Sequence, residues 1–185
     1  MNTYLALLRG INVSGKKIIK MEALRTLFEA AGFTDVKTYI QSGNVIFKAK
    51  SSSKQEVASQ IEKMILAEYG FDVTVFVLDS QQVEKAIDNM PYTDGREPEG
   101  QGSKKLYVTF LSEIPTAENI EKLMQAPIGD DLISLYEDVL YFKLESKASE
   151  SKLSNNLIEN KLKVKATTRN WNVTLKLLDL LRVNS

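Results

Sequence analysis

The sequence predicts an α+β protein made of two ferredoxin-like βαββαβ halves in tandem, with an extra helix at the C-terminus. Three observations point there. The order of hydrophobic patterns, strand–helix–strand–strand–helix–strand, occurs once before residue 90 and again after residue 103. In each half the two middle strand patterns are joined by a tight turn, which makes them an antiparallel hairpin. TYIQSGNVIFK in the first half also sits where ISLYEDVLYFK sits in the second, matching in pattern more than in identity. The expected organisation is an N-terminal half at 1–89, a linker or long loop at 90–103, and a C-terminal half with the added helix at 104–185.

Thr3 to Arg9 reads as a buried strand. After a loop, Met21 to Ala31 reads as a helix with Leu24, Leu27, Phe28 and Ala31 on one face, stopped by Gly32. Val36 to Ile40 and Val45 to Lys48 are short strands around the turn Gln41-Ser42-Gly43-Asn44. Ser53 and Glu56 have capping-box spacing and open a second helix that Gly70 ends; Val73 to Leu78 is the fourth strand. Asp79 and Ser80 cap a short helix running to about Asn89. The segment MPYTDGREPEGQGS then carries three glycines, two prolines and no periodicity.

The second half follows the same order. Leu106 to Leu111 is a strand, and Ala117 to Met124 a helix started by Thr116. Leu132 to Tyr136 and Val139 to Leu144 form a hairpin around Glu137-Asp138. Leu153 to Leu162 is a helix, Val164 to Thr167 a short strand, and Asn170 caps a last helix from Trp171 to Arg182.

Composition narrows the chemistry. With 43% hydrophobic and 26% charged residues, the 185-residue chain is an ordinary globular protein. It has no cysteine and no histidine, which removes thiolate nucleophiles, histidine bases and His- or Cys-built zinc sites. No metal or cofactor is expected. No apolar run approaches the ~20 residues of a membrane span, and the N-terminus lacks the basic and apolar regions of a signal peptide. A cytoplasmic location is the expectation, and the sequence sets no oligomeric state. Net charge is zero, but unevenly placed. Residues 1–50 hold eight Lys/Arg against three Asp/Glu and residues 151–185 seven against two, whereas residues 51–150 hold nine against nineteen.

From Gly10 to Lys17 the chain reads G-x-x-x-x-G-K-K, one residue from the phosphate-cradling P-loop pattern. Three features argue against a P-loop. Lys17 replaces the metal-binding hydroxyl, Ile18 and Ile19 separate the loop from its helix, and the next two strands form a hairpin instead of entering a parallel sheet. A glycine-containing loop with Arg9, Lys16, Lys17 and Lys20 can still hold an anion by backbone N–H groups and cations.

LLRGINVSGKKIIKM, TYIQSGNVIF and TTRNWN together resemble the bacterial family called domain of unknown function 1697. The resemblance runs over nearly the whole chain. It implies an α+β fold of two ferredoxin-like halves and brings no established activity. Its signature positions match here at Arg9, Gly10, Asn12, Gly15, Lys16 and Met21, then at Gln41, Ser42, Gly43 and Asn44, then at Arg169, Asn170 and Trp171. The chain departs from the pattern at Ser14 and Lys17, commonly Gly and Asn, and at Val173, commonly Thr.

The signature segments supply the candidate ligand-binding residues. Gly10 and Gly15 would allow close approach, Arg9 and Lys16 would bring charge, and Asn12 would orient the ligand. Gln41, Ser42 and Asn44 belong to the hairpin turn. Arg169 beside the Asn170 cap would make a bidentate contact and Trp171 would wall the pocket. The expectation is a shared site for these residues, since both chain ends are basic. The favoured function is binding of a small anionic, phosphate-bearing ligand or nucleotide, with nucleic acid the lesser reading and no membrane partner. The alternatives are an enzyme of unknown chemistry on an anionic substrate, and a protein-interaction domain using the acidic middle segment. No catalytic residue is assigned.

Overall fold

The computed structural model describes residues 1–51, 53–96 and 105–185. In the first part of the chain the elements are β1 (Asn2–Leu8), α1 (Met21–Ala30), β2 (Thr34–Tyr39), β3 (Asn44–Ala49), α2 (Lys54–Tyr69), β4 (Val75–Leu78) and α3 (Ser80–Asp88). The rest holds β5 (Leu106–Leu111), α4 (Ala117–Met124), β6 (Leu132–Tyr136), β7 (Val139–Lys143), α5 (Asn155–Leu162), β8 (Ala166–Asn170) and α6 (Trp171–Val183). The strands form two four-stranded sheets of order β2-β3-β1-β4 and β6-β7-β5-β8, with every pairing antiparallel. Both halves are thus mixed α+β with the same element order and strand order, as the sequence predicts.

The chain divides into two compact units, residues 1–84 with 176–185, and residues 85–175. The boundary falls inside α3 and again inside α6. Of the expected linker, residues 97–103 lie outside the described residues, and 90–96 carry no helix or strand.

In the first unit, alternation along the strands turns one sheet face toward α1 and α2. Tyr4, Ala6 and Leu8 of β1 share that face with Val45, Phe47 and Ala49 of β3 and Val75 and Val77 of β4. Leu24 and Phe28 of α1, and Val57, Ile61 and Ile65 of α2 at helical spacing, close the core. The Phe28 and Phe33 rings meet Phe47 edge-on at centroid distances of 5.3 and 4.8 Å. Each such buried side chain stabilises the fold by roughly 1.5–3 kcal/mol, and the edge contacts add roughly 0.5–1.5 kcal/mol. Ser53 caps α2 by accepting the Glu56 N–H. Glu56 does not reach back to the Ser53 N–H, however; Ser51 Oγ donates to Glu56 and accepts from Ser53 N instead. At α3 the box is complete, since Asp79 accepts from Gln82 N and Gln82 Oε1 from Asp79 N. The chain end is tied to β1 by Thr3 Oγ1, which donates to the Asn184 carbonyl at 2.9 Å.

The second unit repeats this plan with Leu123 of α4 and Ile158 and Leu162 of α5 over Leu111, Leu140, Phe142 and Ala166. Its last strand corrects the expectation of Val164 to Thr167: β8 runs from Ala166 to Asn170. Its polar residues look unlike a strand, but Thr167 and Arg169 pair with Phe110 and Val108, and Thr168 Oγ1 bonds Thr109 Oγ1 and Asn155. Buried polar groups on a strand are tolerated when satisfied in this way.

Three hydrogen bonds recur at matching positions in the two halves. Leu8 N donates to Gly43 O at 2.8 Å, and Leu111 N to Asp138 O at 2.9 Å. Arg9 N donates to Thr74 O and Ser112 N to Lys165 O, both at 2.9 Å. A helix carboxylate accepts the first N–H of the fourth strand each time, Glu62 from Val75 and Glu159 from Ala166, again at 2.9 Å.

Candidate functional site

Against that matching frame the first half is longer in α2, with 16 residues against 8 in α5, and in several connections, two of which bear on the site. Residues 9–20 separate β1 from α1, whereas only residues 112–116 separate β5 from α4; the β2–β3 turn spans 40–43, whereas the β6–β7 turn spans 137–138. These two extensions carry the N-terminal and hairpin signature residues apart from Met21 and Asn44, which open α1 and β3. They meet at Asn12. Its Nδ2 donates to Ile19 O at 2.9 Å and to Gln41 O at 3.0 Å, and its Oδ1 accepts from Ile19 N at 2.8 Å. Both amide hydrogens are therefore used within the protein, and Asn12 braces the loop rather than facing outward.

The loop backbone is unusual. Gly10, Asn12, Ser14, Gly15 and Lys17 all have positive φ, between 48° and 73°. Asn12 N donates to Lys17 O at 3.2 Å and Lys16 N to Val13 O at 2.9 Å, closing the loop on itself. At its tip the Ser14 and Gly15 N–H groups meet no protein acceptor among the described residues. A Cβ on Gly15 would meet nothing within 4 Å, so this side of the loop is open. Gly43 differs: a Cβ there would lie 2.9 Å from both Leu8 Cβ and Ile11 Cδ1. Only glycine lets the turn pack on the loop's base. The adjacent Ile40 is β-branched, 48% exposed and at φ +49°, a conformation costing roughly 1–3 kcal/mol.

Charge is arranged unevenly around the tip. Lys16 and Lys20 are exposed and make no ion pair among the described residues. Lys17 is a brace instead, with its ammonium on the Asp72 carbonyl and 5.9 Å from the Phe71 ring centroid. Arg9 is half-buried, and its backbone N–H holds Thr74 O. Asn44 is fully buried on β3, where Nδ2 donates to Tyr39 O at 3.0 Å and to Ser42 Oγ at 3.2 Å. Gln41 is exposed and Ser42 half-buried. Sequence reasoning missed the brace made by Lys17, because Phe71 and Asp72 lie more than fifty residues away, and the strain at Ile40, because nothing in an isoleucine announces a positive φ.

Arg169, Asn170 and Trp171 come together in the second unit. Arg169 lies in β8, not on the helix, and is buried; Nη1 donates to Thr167 Oγ1 at 3.1 Å and to Thr168 O at 2.9 Å. Burial pulls its guanidinium down to about 10. Asn170 caps α6 by accepting from Val173 N at 2.9 Å. Trp171 is buried and has the Arg96 guanidinium 4.8 Å from its ring centroid. Lys143 on β7 is also buried, bonded to Asp94 and Glu145. Among the described residues no group of three or more Asp or Glu is placed to hold a metal ion, and no helix is long and apolar enough to cross a membrane.

No curated protein matches this chain. Among solved structures, the conserved bacterial protein SP0830 from Streptococcus pneumoniae is similar in fold, with a TM-score of 0.73, 22% sequence identity, and coverage of 97% of this chain and 98% of that one. The family model described as "protein of unknown function (DUF1697)" matches residues 1–141, which include the loop, the hairpin turn and their Asn12 junction and stop short of Arg169. The chain belongs to that family.

Proposed function

We propose that the protein binds a small phosphate-bearing anion, a free phosphorylated metabolite or a nucleotide, at the tip of the loop 9–17. One observation carries the reading: two of the segments by which the first half exceeds the second, residues 9–20 and the turn 40–43, are locked together by Asn12, leaving a preshaped tip beside exposed lysines. Positive φ at residues 10, 12, 14, 15 and 17 coils the loop tightly, and the turn that Lys16 N closes on Val13 O leaves the Ser14 and Gly15 N–H groups at the tip for an anion. Preshaping means that little ordering entropy opposes binding. Lys16 supplies charge, Ser14 and Gly15 supply N–H donors, and Asn12 and Lys17 hold the loop in shape. The helix that follows starts at Met21, behind Ile18 and Ile19, so its N-terminus does not serve the anion as a P-loop helix does.

A thermal-shift screen against phosphate, pyrophosphate, nucleotides and oligonucleotides tests this reading, because a ligand of the native state raises the unfolding temperature. A dose-dependent rise with at least one anion, reduced by added salt, supports it. A flat response to the whole set sinks it.

A further inference from the structure

The acidic middle of the chain holds an edge strand with unusual features. Strand β6 lies at the edge of the second sheet, paired only with β7. Its five residues, Leu132-Ile133-Ser134-Leu135-Tyr136, include no charge and no proline, and their register with β7 is unbroken. The two-residue turn at 137–138 makes Tyr136–Val139, Ser134–Tyr141 and Leu132–Lys143 the hydrogen-bonded pairs. Ile133 and Leu135 therefore direct N–H and C=O away from the sheet, and among the described residues nothing accepts or donates there. Leu132 and Tyr136 remain 45% and 41% exposed.

The other three edges each carry at least one obstacle to pairing. Strand β2, the counterpart of β6, carries Asp35 and Lys37, and its register shifts between Thr34 and Lys37. The first N–H of β4 and of β8 is capped by Glu62 and Glu159. Charges and bulges are among the devices by which proteins blunt edges against pairing, and a capped first N–H removes one donor from the edge. Edge β6 has none of these within the strand. Acids stand at its two ends instead: exposed Asp130 before it, and half-buried Asp138 after it beside Glu137, which is already paired with Lys85 at 2.5 Å. A second copy is disfavoured in the register that pairs all five residues of the strand with each other. Symmetric antiparallel pairing about Ser134 sets Asp130 against Asp138 of the other copy, twice, and like charges facing each other across strands are destabilising.

We propose that β6 accepts an extended segment of another protein as an added strand, and that this segment is apolar with basic residues at both ends. Backbone pairing supplies the affinity and the acidic ends select the partner.

Amide hydrogen exchange of the full chain tests this with two probes. One is a peptide with a Val-Thr-Val-Thr-Val core and Lys-Lys at each end; the other has the same core with Glu-Glu at each end. The lysine peptide should slow exchange at Ile133 and Leu135 and bind about tenfold more tightly than the glutamate peptide, as a few exposed charge pairs allow. In the surface variant Asp130→Lys with Asp138→Lys the preference should reverse. Unchanged exchange at both amides with either peptide overturns the proposal. So does equal binding of the two peptides, or a dimer of the unmodified chain whose Ile133 and Leu135 amides are protected.

Discussion

The Asn12 side chain donates to the Gln41 carbonyl across 29 residues of sequence, at 3.0 Å, and so fastens the loop after β1 to the turn between β2 and β3. The same amide group closes the loop on Ile19 in both directions. Replacing it with alanine removes three hydrogen bonds and leaves the Ile19 N–H and carbonyl without their partner. The Asn12→Ala variant should lose roughly 1–3 kcal/mol of unfolding free energy and show faster exchange at the Ile19 amide. Chemical denaturation with amide exchange reads both effects, and an Asn12→Ala protein as stable as the parent would refute the brace.

Two glycines separate the demands of conformation and of packing. Gly15 and Gly43 share a positive φ, but only Gly43 has neighbours 2.9 Å from an added Cβ. Gly15→Ala should cost roughly 1–2 kcal/mol, the left-handed penalty alone. Gly43→Ala adds overpacking against Leu8 and Ile11 and should cost roughly 2–5 kcal/mol. Equal costs in denaturation curves would mean that the turn does not pack on the loop as described.

Asp131 gives the second unit a dependence on pH. Burial pushes its carboxyl up, but hydrogen bonds from Ser151, from Ser146 and from the Glu145 and Ser146 amides outweigh burial and hold it below the usual carboxylate range. Because the folded-state pKa is depressed, the carboxylate's stabilisation is complete above the unfolded value, about 3.9. It is lost as pH falls below that value and through the folded one. The parent should therefore lose its stability advantage over Asp131→Asn as pH drops below about 4. Melting temperatures of the two proteins taken from pH 6 downward should converge; curves that stay parallel would contradict the assignment.

Much of this was legible in the sequence, and the remainder has physical reasons. Local signals succeeded: Thr116 caps α4, Asp79 caps α3, Asn170 caps α6, and both hairpin turns lie where glycine, asparagine and acidic residues mark them. These depend on neighbours a few residues apart. Strand β8 was partly misjudged, because ATTRN has no apolar alternation and owes its strand state to pairing with β5. The half-formed box at Ser53 was hidden because Ser51 supplies the missing link. The site was legible only as a set of residues. Motif spacing placed glycines and lysines on one loop, but it could not distinguish Lys16 at the open tip from Lys17, which Phe71 and Asp72 hold. Nor could it show that Asn12 spends its amide inside the protein.

The most direct test of the loop as an anion site is an amide NMR titration of the full chain with pyrophosphate, in the parent and in Lys16→Ala. Saturable shifts should appear at the Ser14 and Gly15 amides, and the exposed Lys16 leaves the fold unchanged when replaced while affinity falls about tenfold. Shifts absent from those two amides, or an affinity indifferent to Lys16→Ala, would contradict the account.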